Sequence, residues 1–188
     1  MKLADYLKQE IQLSDDTIQA FDRLWDSQHF PKGHQLVGAG SHSKKVFYIE
    51  KGLARIYYLN DGKDITQFFF DETSIYTPIE NVFLNEYHPY YLELLEDSTV
   101  RTVDFSRIEE LLDTNVKFQR FVRYIMTGTI KKLADRLRSV QLQTAQDRYR
   151  ILLETYPDIL LRAPLGHIAS YLGITQQTLS VIRAKKSK

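Results

Sequence analysis

The chain has 188 residues, enough for one sizeable core or two small domains, and its lack of cysteine excludes disulfides, thiolate zinc sites, thiol catalysis and cysteine-ligated iron–sulfur clusters. No run of about 18 apolar residues is present, so no membrane-spanning helix is expected. The net charge of +1 hides a division: residues 1–115 carry 11 Lys and Arg against 20 Asp and Glu, and residues 116–188 carry 14 against 4, an acidic front joined to a basic back.

The N-terminus lacks a signal-peptide layout, since MKLADYLKQEI already reads as a charged amphipathic helix, and a cytoplasmic location is expected. Residues 2–27 read as helical: Leu3, Tyr6, Leu7 and Ile11, then Ile18, Phe21, Leu24 and Trp25, recur at three and four. Ser14 before Asp15 and Asp16 marks a break and a second N-terminus. From His29 to about Asp104 the period changes to short strands punctuated by turns, among them KKVFYIEKG and LARIYYLNDGKDITQFFF, with Asn60-Asp61-Gly62 as a hairpin signal. Many short strands of this kind predict an antiparallel sandwich or jelly roll.

Asn115 to Thr144 read as one long helix in which Phe118, Val122, Met126, Ile130, Leu133, Leu137 and Val140 form an apolar stripe. Lys117, Arg120, Arg123, Lys131, Lys132, Arg136 and Arg138 cover its outside, and Phe121 and Ile125 are placed against the strands. A stripe of this spacing serves either as a core face or as a dimer seam, and at roughly 45 Å the helix is too long for one small domain to cover. In residues 141–162, Tyr149, Ile151, Leu152 and Tyr156 pack and Pro157 ends the helix, while Arg148 and Arg150 either reach phosphates or face solvent.

The stretch PLGHIASYLGITQQTLSVIRAKK has the pattern of a helix-turn-helix. Ile168, Ala169 and Leu172 share a face of the first helix, Gly173 ends it, Thr175 caps the second, and Leu179 and Ile182 line that helix's inner side. Counted from Leu165 as the first of twenty positions, Ala169 sits at the close crossing and Ile174 at a further buried place. The face left for DNA comprises Thr175, Gln176, Gln177, Thr178, Ser180, Val181, Arg183 and Lys185, with Lys186 and Lys188 beyond. Amides bind adenine edges, and hydroxyls and cations bind phosphates, which is what a major-groove reader needs. The plainer reading is a helical hairpin with a solvated basic end.

FPKGHQLVGAGSHSKKVFYIEKGLARIYYLNDGKDITQFFF resembles the first half of a cyclic-nucleotide-binding-type β-roll, with its lysine-glycine corner and its Tyr-Ile-x-x-Gly strand end. Together with AQDRYRILLETYP, APLGHIASYLGIT and the Thr-Leu-Ser run, it makes the chain resemble the CRP/FNR family of bacterial transcription regulators over nearly its whole length, in the cassette-divergent branch. The resemblance implies an α+β protein: an N-terminal antiparallel β-roll (jelly roll) sensor domain with its helices over 1–114, a dimerisation helix over 115–144, and a winged-helix-like helix-turn-helix domain over 145–188. It implies a non-enzymatic homodimer on a palindromic operator of double-stranded DNA, with Val122, Met126, Ile130, Leu133, Leu137 and Val140 in the dimer interface and RNA polymerase as a further partner.

The sequence departs from the family in two places. Relatives that bind cyclic nucleotide carry a Gly-Glu-Leu segment and an arginine for the phosphate, whereas residues 71–100 contain neither arginine nor lysine and include Glu80, Glu86 and Glu93. No tight cAMP binding is therefore expected. What remains is rich in aromatics (Tyr76, Phe83, Tyr87, Tyr90, Tyr91). They either line a pocket for an uncharged effector, with Tyr76, Thr77, Glu80, Asn81 and Tyr91 as its candidates, or simply fill the core. At Val181, where relatives commonly carry a guanine-gripping arginine, only apolar contact is available, so a more A·T-tolerant operator is expected.

Two other classes compete. A cupin-type metal enzyme has a similar roll, and His29, His34, His42 and His88 are present, but a cupin needs histidines two apart, and position 44, two after His42, is Lys. No metal or cofactor is expected. A protein-interaction module that keeps the helix-turn-helix without binding DNA is the other.

Overall fold

The structure, a computed structural model, describes residues 1–10 and 14–186, so Ile11 and Lys188 lie outside the described residues, as do the side chains of Lys185 and Lys186. Helices α1 (Leu3–Glu10) and α2 (Asp15–Asp22) open the chain, and the Ser14 hydroxyl caps α2 by accepting from the Thr17 N–H at 3.4 Å. The helical reading over 2–27 overruns the observed end. Arg101 takes the chain there, donating to the carbonyls of Asp22 (2.7 Å) and Trp25 (3.2 Å), and residues from Asp26 onward pair with a strand instead.

Eight strands follow: β1 (Asp26–Phe30), β2 (Gln35–Val37), β3 (Lys45–Lys51), β4 (Ala54–Asn60), β5 (Lys63–Phe70), β6 (Ile75–Tyr76), β7 (Tyr91–Leu94) and β8 (Ser98–Asp104). They form two four-stranded antiparallel sheets in the orders β1-β8-β3-β6 and β2-β7-β4-β5, the interleaving of a jelly roll. Phe47, Ile49 and Val100 of the first sheet meet Ile56, Leu92 and Leu94 of the second to make the interior. Val46, Tyr48 and Val103 point the other way, into a second core with Leu3, Leu7, Phe21 and Trp25 from the helices. Burial on both faces explains why β3 is a continuous apolar run rather than an alternating one.

Two backbone positions fix the connections. Asp61 (φ 50°) and Gly62 (φ 74°) make the two-residue turn that pairs Asn60 with Lys63, a geometry that demands positive φ at both. Gly52 (φ 116°) leaves β3 so close to β8 that a Cβ there would lie 2.1 Å from the Ser98 hydroxyl.

A helix that the sequence reading passed over, α3 (Phe105–Thr114), leads into α4 (Val116–Leu142), whose N-terminus is capped by Asn115. Phe118 and Phe121 of α4 enter the core beside Phe21, the Phe118 and Phe21 rings 4.5 Å apart. Phe118, expected at the head of the apolar stripe, therefore serves the roll, and Ile125 packs there too. Further along, α4 leaves the roll with its stripe uncovered.

The C-terminal unit comprises α5 (Ala145–Thr155), α6 (Ile159–Arg162), α7 (Leu165–Leu172) and α8 (Gln176–Lys186). Tyr149, Leu152, Ile159, Ala163, Ile168, Ala169, Leu172 and Leu179 share one core, which is closed by Leu53, Phe69 and Leu95 of the roll. No strand follows β8 among the described residues, so the winged-helix-like part of the expectation meets no wing there. Among the described residues no helix is long and apolar enough to cross a membrane.

Candidate nucleic-acid interface

Helices α7 and α8 are joined through Gly173, which takes the left-handed conformation (φ 67°) and donates its N–H to Ser170, while Ile174 donates to Ala169. This ending satisfies two last-turn carbonyls of α7 and turns the chain sharply. Arg148, read as a phosphate contact or a solvated residue, is neither: it donates to the carbonyls of Leu172 (3.0 Å) and Gln143 (2.7 Å), tying the end of α7 to the end of α4. Arg150 is exposed beside Asp147 and Glu154.

On α8, Leu179 is buried and Ile182 packs beside it, which turns Gln177, Ser180, Val181 and Ala184 outward at spacings of three and four. All four are exposed, Val181 at 56%. Ala184 is the member of this row that sequence reasoning missed, although the same spacing points to it. Thr175 is occupied as the cap, its hydroxyl 3.1 Å from the Thr178 N–H and 2.9 Å from the Thr178 hydroxyl. Gln176 is exposed as well, but it flanks the row, and its amide lies toward the first turn of α7, where a Cβ on Gly166 would stand 2.6 Å from its nitrogen. Arg183 flanks the row and is half-buried. The row offers one amide, one hydroxyl and small apolar surface.

His167 of α7 faces the roll, and its Nδ1 is buried without a partner. Burial lowers its pKa below the ordinary imidazole value, and the nearby positive charge of Arg55 adds to this, against the carboxylates of Asp64 and Glu93. A histidine held neutral in the fold stabilises above the ordinary imidazole pKa of about 6.5, and its contribution is lost as pH falls from there toward the lowered value. The melting temperature is accordingly expected to drop between pH 7 and pH 5, and His167→Gln to reduce that drop, in thermal scans at fixed ionic strength.

Of the residues proposed for an effector pocket, Tyr76, Thr77, Glu80 and Asn81 fall together at the end of β6 and in the short helix after it, and Tyr91 is set apart. Tyr76 is buried between the sheets, its hydroxyl bonded to Nε2 of the buried His88, and His88 Nδ1 lies 2.7 Å from the Tyr90 carbonyl. Asn81 sits in a five-residue π-helix (Glu80–Leu84) and is fully buried, its side chain holding Ser43 (3.0 Å), Ser41 (3.2 Å) and Glu86 (2.6 Å) main-chain groups. Thr77 and Glu80 are half-buried between these elements. Tyr91 lies on the opposite face of the second sheet, stacked 4.9 Å from Tyr57. The reason is strand alternation: Leu92 and Leu94 take the inward positions of β7, so Tyr91 and Glu93 must face out. Phe83 and Tyr87 are exposed.

Of the expected dimer residues, Val122 packs against the roll core, while Met126, Ile130, Leu133, Leu137 and Val140 are exposed along α4. Arg136, counted with the outward charges, instead turns to Tyr171, donating to its carbonyl with the guanidinium 4.2 Å above the ring. No cluster of metal-ligating residues occurs among the described residues.

Residues 27–115 match the family described as cyclic nucleotide-binding domain. The fumarate and nitrate reduction regulatory protein of Yersinia pestis is 23% identical over 171 residues, covering 84% of this chain and 67% of that protein. Among solved structures, FixK2 from Bradyrhizobium japonicum superposes with a TM-score of 0.75 at 20% identity, covering 86% of this chain and 83% of its own. CooA from Carboxydothermus hydrogenoformans gives 0.68 at 18% identity, covering 98% and 84%.

Proposed function

We propose that this chain is a member of the CRP/FNR family, a reading supported by its cyclic nucleotide-binding domain, its sequence relative and its fold, and that it works as a homodimeric, cytoplasmic, sequence-specific DNA-binding transcription regulator. The observation that carries the reading is α8, whose inner side is buried while Gln177, Ser180, Val181 and Ala184 stand open in the basic third of the chain. Pairing through α4 would set two copies of this helix about 34 Å apart, one turn of duplex, and so select a palindromic operator.

Gln177 is the principal base reader in this proposal, Val181 supplies apolar contact to a thymine methyl, and Arg183 and Lys185 meet phosphates. The regulator does not respond to cAMP. In support, the roll interior is filled by Phe47, Tyr76, His88, Leu92 and Leu94, and residues 71–100 carry carboxylates where a phosphate needs cations.

Selection of bound sequences from random duplexes, followed by gel shifts across salt concentrations, tests the whole reading. Wild type is expected to bind a palindrome with a steep salt dependence that cAMP leaves unchanged. Gln177→Ala costs about 1–3 kcal/mol on that palindrome and relaxes preference at one base pair of each half-site. Arg183→Ala weakens all sequences alike and flattens the salt slope by about one. A uniform loss from Gln177→Ala would remove it as a reader, and failure to bind any duplex would leave the protein-interaction reading.

A further inference from the structure

The contacts beneath the helix-turn-helix are as specific as those on its reading side. Strand β5 is an edge of the second sheet, and an exposed edge offers unpaired main-chain groups. Here they are taken by the C-terminal unit. The Ser170 hydroxyl of α7 accepts from the Thr66 N–H at 2.9 Å and donates to the Asp64 carbonyl at 3.1 Å, and the Tyr156 hydroxyl donates to the Phe69 carbonyl at 2.9 Å. Arg162, at the end of α6, reaches Glu72 at 2.8 Å and Glu96 at 2.6 Å, one carboxylate on each side of the roll's nearby corner. Glu72 also accepts from the Gly52 N–H at 2.9 Å. Burial alone would raise the Glu72 carboxyl, but these donors outweigh it and hold it below the ordinary carboxylate range.

Lifting the helices away would strip water-excluding cover from Leu53, Phe69 and Leu95 on one side and from Ile168, Ala169 and Leu172 on the other. It would also leave Glu72 and Glu96 without their cation and three groups of the β5 edge without partners. The docked arrangement does not cover the outward row of α8, which remains exposed in it. Docking and DNA access are thus compatible.

We propose that the β-roll is a working part of the DNA reader: α7 binds the β5 edge, and Arg162 and Ser170 are positioning residues that hold α8 at the angle in which it meets DNA. The proposal rests on the regulator reading and adds to it that each reading helix acts only while docked on its own roll.

The absence of cysteine allows a direct test. Thr66→Cys with Ser170→Cys puts two thiols on residues whose backbone and side chain already meet, the Thr66 N–H lying 2.9 Å from the Ser170 hydroxyl, so that a disulfide can be tried there. The oxidised double variant is expected to bind the selected operator at least as tightly as its reduced form. Arg162→Ala in the otherwise wild-type chain is expected to lose about tenfold in affinity on every sequence while remaining dimeric. Adding the oxidised cysteine pair to Arg162→Ala restores the affinity, and urea unfolding that finds reduced Arg162→Ala fully folded at the binding temperature separates lost positioning from lost fold. Loss of binding on oxidation, recovered on reduction, would mean that docking blocks DNA and would overturn the proposal alone. A wild-type dimer that binds no duplex would reject this proposal and the regulator reading together.

Discussion

Leu133→Asp is expected to give a folded monomer at micromolar concentration in sedimentation velocity, with operator affinity lowered a hundredfold or more. The exposures along α4 set the size of the effect: Met126 48%, Ile130 65%, Leu133 46%, Leu137 60% and Val140 55%. Five large apolar side chains in a row on one helix are far more than a monomer ordinarily leaves in water, and the spacing of three and four is that of a helix seam. Leu133 lies at its centre. In a parallel pair related by a twofold axis, an aspartate there meets its own copy, so two carboxylates would be buried together without a cation. The loss of affinity follows from valence, because a linked second half-site is worth about 10²–10⁴ in binding when geometry permits both contacts. A variant that stays dimeric would move the seam off this stripe.

How far the sequence could be read depended on whether a residue's role was local. The strand pattern, the Asp61-Gly62 turn, the Ser14 and Thr175 caps and the buried faces of α7 and α8 are all set within a few residues, and the structure has them as read. The spacing of Phe105, Ile108, Leu111 and Leu112 also announces α3, a helix that was legible and overlooked. Other roles depend on elements distant in sequence. Alternation says that Tyr91 and Leu92 face opposite ways, but only the pairing of β7 with β4 shows which faces the interior. Likewise Arg136 and Arg148 look like ordinary surface charges until Tyr171 and Leu172 come to lie beside them. The docking of α7 on β5 joins residues more than a hundred apart, and no local pattern encodes such a contact.

Arg55→Ala is expected to lower the unfolding free energy by about 3 kcal/mol at pH 7. Arg55 is 3% exposed on the outer face of the second sheet, beneath α7. Its guanidinium binds Asp64 at 2.6 Å, Glu93 at 2.9 Å and the Thr66 hydroxyl at 2.9 Å, and lies 4.0 Å over the Tyr57 ring. Removing it leaves two carboxylates under a helix with no positive partner. The Asp64 side chain remains 36% exposed, which screens part of that cost and sets the figure near the lower end for a broken buried pair. Urea unfolding at pH 7 reads the loss, and full recovery by Arg55→Met alone, which keeps an apolar stem without the charge, would show that packing, not charge, is what Arg55 supplies. Arg55→Met combined with Asp64→Asn and Glu93→Gln removes the charges together and should restore most of the loss. Because this cluster lies between β5 and α7, a single Arg55→Ala change should also loosen the reading head on its roll, lowering operator affinity in parallel with Arg162→Ala.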